Sequence, residues 1–182
     1  MVDDAKTLAC SIQMKVLGTH VNTRGTDIAS VVITDPLVLN FTDTLTNGTG
    51  DGSADLMYHE RIVETNASET IFDLSSLATA PGNFAGDAFG TDITFTTIKL
   101  IMVRWVSGGS LIIGGTTSEE WFDTDVFFYA TDSQIHFPAG GVLMAYSPTT
   151  GWPVSGNTKD KFIINTSATA TYDIVIIGES DA

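Results

Sequence analysis

The stretch Ile93-Thr94-Phe95-Thr96-Thr97-Ile98-Lys99-Leu100-Ile101-Met102-Val103-Arg104-Trp105-Val106 decides the fold. Ile93 and Phe95 alternate with Thr94 and Thr96, the period of a strand with one covered face. From Ile98 to Val103 both faces become apolar, which reads as a central strand covered on both sides. With Lys99 and Arg104 inside it, the apolar run is far too short to span a bilayer.

Extended segments continue in both directions. Upstream, Leu8, Cys10, Ile12, Met14 and Val16 alternate with Ala9, Ser11, Gln13 and Lys15, again period two. Gly18 to Asp27 is polar and reads as a loop. Val31-Val32-Ile33 opens a second extended segment. Pro36 interrupts it, as suits an edge or a bulge, and Leu37, Leu39 and Phe41 resume the alternation. Leu56–Val63 and Thr70–Leu74 are further strands, with a helical turn expected near Leu74–Leu77. Downstream, Ser107-Gly108-Gly109-Ser110 is a hairpin signal with Leu111-Ile112-Ile113 as its return strand. Val142–Tyr146, Phe162–Ile164 and Tyr172–Ile177 close the chain.

About nine or ten short strands, separated by turn clusters and without an amphipathic helix, indicate an all-β fold. The expected architecture is a single antiparallel β-sandwich, jelly-roll-like, over residues 28–182. Residues 1–27 are expected to form an extended N-terminal arm or strand, able to add to a neighbour's sheet edge. The chain of 182 residues is long enough to bury about 70% of its unfolded surface, so it needs no staple.

Composition narrows the function. Charged residues make up only 16% of the chain, yet 22 Asp+Glu outnumber 8 Lys+Arg, for a net charge of −14. Such a surface repels phosphate backbones and anionic lipids, which argues against nucleic-acid and membrane partners. Cys10 is the single cysteine, so no internal disulfide forms, as suits assembly in a reducing compartment. Residues 1–6 are acidic and lack an apolar h-region, so no Sec signal is expected. The Asn-x-Ser/Thr triplets at Asn40, Asn47, Asn66 and Asn165 are of a kind that arises by chance in a Thr-rich chain.

The most suggestive loop is Asn47-Gly48-Thr49-Gly50-Asp51-Gly52-Ser53-Ala54-Asp55. It lacks the lysine and the following helix of a phosphate loop, and Asp51 and Asp55 would repel phosphate. It reads as a turn between strands. Asp51 and Asp55, or Glu119, Glu120, Asp123 and Asp125, have the hard oxygens a divalent cation takes, but neither set matches a calcium-loop spacing. His20, His59 and His136 have no metal-like spacing with one another. No nucleophile elbow or defined carboxylate pair is present, so the chain reads as neither an enzyme nor a cofactor binder. Phe127-Phe128-Tyr129 cannot all face inward, which hints at an interface in the aromatic segment Trp121–Tyr129.

The segments "DGSADLMYHERIVETNASETIFDLSSL", "DAFGTDITFTTIKLIMVR", "IHFPAGGVLMAYSPTTGWPV" and "KFIINTSATATYDIVIIG" resemble, in order and turn placement, small β-sandwich virion proteins of tailed bacteriophages. The resemblance covers roughly Leu39 to Gly178 and includes no catalytic motif. It implies a structural role: a capsid decoration or cement protein that stabilises the head through subunit contacts. The alternatives are a minor neck or tail protein, or a host-glycan-binding module of the virion. The implied partners are the major capsid protein or other virion proteins, and copies of the chain itself, a homotrimer being favoured. The implied location is the virion, assembled in the host cytoplasm. The residues expected at interfaces are Leu8, Ile12 and Met14 in the arm, and Trp121, Phe127, Phe128 and Tyr129 in the aromatic segment.

Overall fold

A computed structural model describes residues 7–24, 31–77, 93–115, 121, 134–156 and 158–181. Among them are twelve strands and no helix. The protein is all-β and sandwich-like, with no closed barrel.

The five-stranded sheet is built on β6 (Thr97–Gly108) and β12 (Ala170–Glu179). Its order is β10 (Trp152–Pro153), β6, β12, β4 (Leu56–Glu64), with β9 (Val142–Tyr146) also on β6. All of these pairings are antiparallel. β6 is central, as its two apolar faces predict. Ile98, Lys99, Leu100 and Ile101 are consecutive and all buried. The four-stranded sheet runs β5 (Ser68–Asp73), β11 (Lys161–Thr166), β7 (Leu111–Ile113), β8 (Ile135–Phe137), also antiparallel.

The inner faces of these two sheets share one core. Tyr58, Ile101, Val103, Tyr172, Ile174 and Ile176 come from the larger sheet; Phe72, Leu111, Ile113, Phe162 and Ile164 come from the smaller. Aromatic edges join the layers, with Tyr58 and Phe72 T-shaped at 6.2 Å. Alternation along β12 produces this directly, since Tyr172, Ile174 and Ile176 point to the core while Asp173 and Val175 point away.

Two departures from the expected layout are informative. Ser107–Ser110 is not a hairpin. β7 leaves β6 for the other sheet and pairs with β11 and β8. The reason lies in the β11–β12 turn, which crosses between the sheets beside it. Gly109 N–H donates to Thr169 O, and Ser110 N–H to Ser167 Oγ, each at 2.9 Å. Residues 74–77 form a turn, closed by Ser76 N–H on Asp73 O at 3.1 Å, rather than a helical segment. Gly178 marks a shift of register between β12 and β6, where an added Cβ would lie 2.1 Å from Thr97 O.

The chain divides into two compact units, and Ala9–Leu45 is the smaller. It is a ribbon of β1 (Cys10–Arg24) and β2 (Val31–Asn47), antiparallel from Cys10↔Leu45 to Arg24↔Val31. The loop expected from Gly18 is therefore strand as far as Arg24. The domain break expected after Asp27 lies outside the described residues. The unit boundary falls at Leu45, because the arm takes its partner from the segment that was expected to belong to the sandwich.

Candidate interaction surface

The β1–β2 register sorts the ribbon's side chains, because residues directly opposite in an antiparallel pair share a face. One face carries Ile12 opposite Asp43, Met14 opposite Phe41, and Val16 opposite Leu39. The other carries Ser11 opposite Thr44, Gln13 opposite Thr42, and Lys15 opposite Asn40, followed by Leu17 opposite Val38. The ribbon is thus amphipathic from Cys10↔Leu45 to Val16↔Leu39; next to it, on the polar face, Leu17 and Val38 are 63% and 58% exposed. On its apolar face Met14, Val16, Leu39 and Phe41 are 37–52% exposed. Ile12 and Leu45 alone are buried among the ribbon's described side chains. Cys10 is half-buried, and burial pushes its thiol pKa up, which lowers its reactivity as a nucleophile.

The Asn47–Asp55 loop, at the end of β2, is structural. Gly48, Gly50 and Gly52 all have φ between 70° and 134°, which side chains with a Cβ resist. Thr46 N–H donates to Gly52 O at 3.0 Å, and β2 pairs in parallel with β3 (Ser53–Ala54) across the loop. Asp55 accepts from Ser180 N–H at 2.8 Å and also from the Ser180 hydroxyl, so its carboxylate is occupied. Asp51 is exposed. Beneath the loop lies a buried ion pair, Lys99 Nζ to Glu179 Oε1 at 3.2 Å. Glu179 Oε1 also accepts from Gly50 N–H at 2.6 Å, and Lys99 Nζ donates to Thr149 O. Lys99, which the sequence shows as an interruption of an apolar run, is the anchor of two loops.

A second polar cluster joins β5 to β11. Lys161 Nζ lies 2.6 Å from Asp73 Oδ2 and 3.4 Å from Asp160 Oδ1. Ser75 Oγ donates to Asp73 Oδ1 at 2.8 Å and lies 3.1 Å from Asp160 Oδ2. Burial works to raise the Asp73 carboxyl, but Lys161 and Ser75 outweigh it and hold the group below its ordinary value. Burial works to lower Lys161, and Asp73 outweighs it in turn, holding the ammonium above its ordinary value. Asp73 and Lys161 satisfy one another, with Ser75 on the Asp73 carboxylate, so the cluster reads as a structural tie. On the outward side of the larger sheet, Arg61 clasps Asp173 with two hydrogen bonds at 2.6 and 3.0 Å. No cluster of three or more His, Cys, Asp or Glu able to hold a metal occurs among the described residues.

The expected interface residues separate. Ile12 and Met14 lie on the apolar face of the ribbon. Leu8 is half-buried, with its N–H on Asn47 Oδ1 at 2.7 Å. Trp121 is corrected: it is fully buried, its rings edge-on to Trp152 and Phe162, and its indole N–H donates to Pro153 O. A side chain with no exposed surface serves the chain's own core. Phe127, Phe128 and Tyr129, with Asp123 and Asp125, lie outside the described residues. Leu39 and Phe41 were not singled out by sequence as surface contacts. Comparison with family models, curated proteins and solved structures finds no match to this chain.

Proposed function

We propose that this chain is a structural protein of a virion that works by making contacts between subunits, as a decoration or cement protein does. The observation that carries the reading is the ribbon's exposed apolar face, Met14, Val16, Leu39 and Phe41. A contiguous apolar surface of this kind marks an interaction site. The sequence resemblance to small virion proteins of tailed phages supplies the kind of assembly, and the acidic balance suits a layer that faces solvent. The mechanism is mass action: interface buried only in the assembled particle stabilises the assembled state. The glycan-binding alternative draws less support, because Trp105 and Trp121 lie in the core and are not platforms for a sugar.

The test is quantitative mass spectrometry of purified particles. A copy number comparable with that of the capsid subunits supports a decoration or cement role. A handful of copies points to the neck or tail, and absence from particles sinks the virion reading.

A further inference from the structure

We propose that Glu60 and Glu64 keep the free edge of β4 from pairing with a strand of another copy of the chain. The inference goes beyond the virion reading and does not depend on it.

β4 ends the larger sheet. It pairs with β12 and has no strand on its other side among the described residues. The edge is long, at nine residues, and contains neither proline nor glycine. Its register with β12 is unbroken from Glu64↔Ala170 to Leu56↔Gly178, so no bulge twists it away. An edge of this kind is a template for strand addition unless something blunts it. Tyr58 and Ile62 of β4 lie in the core, and Glu60 and Glu64 share their face, because alternate residues of a strand point the same way. Two half-buried carboxylates thus stand on the apolar side of an edge strand.

Hydroxyls of the sandwich hold both in place. The Tyr58 hydroxyl donates to Glu60 Oε2 at 2.6 Å. Thr70 Oγ1, on β5 of the opposite sheet, donates to Glu64 Oε1 at 2.5 Å. Neither carboxylate has an ion pair among the described residues. Arg61 faces the outward side, where it binds Asp173. The two glutamates do not converge on one cation either. Four residues of strand separate their Cα atoms by about 13 Å, and Ile62 points inward between them. Their charge acts instead on whatever lies alongside β4. An added strand would set its own inward side chains about 5 Å from Glu60 and Glu64 and cut both off from water. Burying a carboxylate without a countercharge is strongly unfavourable.

A second copy meets a further obstacle. Two copies joined edge to edge about a twofold axis pair β4 antiparallel with itself. Full overlap of the nine residues puts the axis at Glu60, which sets Glu60 opposite Glu60 and His59 opposite Arg61. With the axis at Arg61, Arg61 faces itself. With the axis at Ile62, Glu60 faces Glu64 twice over. Like charges directly opposite destabilise a pair of strands. With the axis at His59, Glu60 faces Tyr58 of the other copy, an unpaired charge against a ring.

The test is the solution mass of the full chain, by light scattering from about 1 to 100 µM. Glu60→Gln with Glu64→Gln keeps the shape and the acceptor oxygens and removes both charges. It should associate at least about 100-fold more tightly than the wild type. Asp51→Asn with Asp181→Asn removes two charges from exposed positions outside β4 and should match the wild type. Val63→Lys, added to the double glutamine variant, restores a charge to the edge on its exposed outward side. It should return the mass to that of the wild type. Simple loss of net charge predicts the opposite, since the lysine brings the chain nearer neutrality. If the double variant loses its melting transition, Glu60→Gln alone is measured, with the same expectations. A variant mass equal to that of the wild type at about 100 µM overturns the proposal. So does equal association of the Asp51/Asp181 control, or a lysine that deepens association.

Discussion

The ribbon and the sandwich use one sequence pattern to opposite ends. In β12, Tyr172, Ile174 and Ile176 alternate with outward residues and are fully buried. In β1, Ile12, Met14 and Val16 alternate in the same way, and Met14 and Val16 remain open to solvent. The sandwich covers its apolar faces with a second sheet, locked by rings such as Phe72, Phe162 and Trp121. The ribbon has a long ladder of backbone pairing and little burial. Backbone hydrogen bonds contribute only about 1 kcal/mol net each, so burial sets most of the difference in stability between the two. Period-two alternation states which face wants cover and is silent on what supplies it.

The sharpest way to break this comparison is to cut the core. Phe162→Ala removes a fully buried ring that touches Phe72 and Trp121. It should cost about 3–5 kcal/mol, lowering the melting temperature by roughly 10 °C. Thr42→Ala, on the ribbon's polar face, should change stability by less than about 0.5 kcal/mol. Equal shifts in calorimetry would show that the ribbon is as tightly integrated as the core. Lys99→Met comes next. It leaves the Glu179 carboxylate without its countercharge, and losses of this kind run from about 3 to 5 kcal/mol. The low end applies, about 3 kcal/mol, because Gly50 N–H still donates to Glu179. Urea unfolding of the variant checks the value, and an unchanged midpoint would show that the pair stabilises nothing.

The sandwich was legible in the sequence wherever local pattern and tertiary environment coincide. β6 was readable as central because both its faces are apolar, and Tyr172–Ile177 was readable as a strand. Three features were not. Lys99 looked like an interruption, since nothing local shows that Glu179, 80 residues on, supplies its partner. Ser107–Ser110 looked like a hairpin because Gly-Gly fits a tight turn, but packing against Ser167–Thr169 directs the chain across to the other sheet. The arm's partner was hidden by Pro36. A proline signals an edge, and β2 is indeed an edge strand for most of its length, but the signal does not say whose edge. Of the interface residues, Met14 could be found from alternation alone. Phe41 and Leu39 needed the register, which places them opposite Met14 and Val16.

A smaller effect comes from the polar tie between β5 and β11. The Asp73 carboxyl is held below its ordinary 3.8, so its contribution is present above that value and is lost as pH falls through the depressed folded value. Lys161 is held above its ordinary 10.5, so its contribution is full below 10.5 and is lost as pH rises through the raised folded value. Between these limits the tie is insensitive to pH. Asp73→Asn should therefore melt below the wild type at neutral pH, by less than Lys99→Met does, and the gap should close as pH falls to about 2. A gap that stays constant into acid would show that Asp73 acts through shape and not through charge.

The smallest effect on the sandwich is expected from the largest change in sequence. Cys10 pairs with Leu45, and Leu8 N–H reaches Asn47 Oδ1 at 2.7 Å, so the two ends of the ribbon lie side by side. Residues 9–45 can thus be replaced by a Gly-Ser link without stretching the chain. Thr46 and Asn47 keep their pairing with Ser53 and Ala54, and the Lys99–Glu179 pair beneath that loop lies wholly outside the excised segment. The shortened chain should melt within about 3 °C of the parent, since no core ring is lost. A drop of about 10 °C would show that the ribbon carries part of the sandwich's stability.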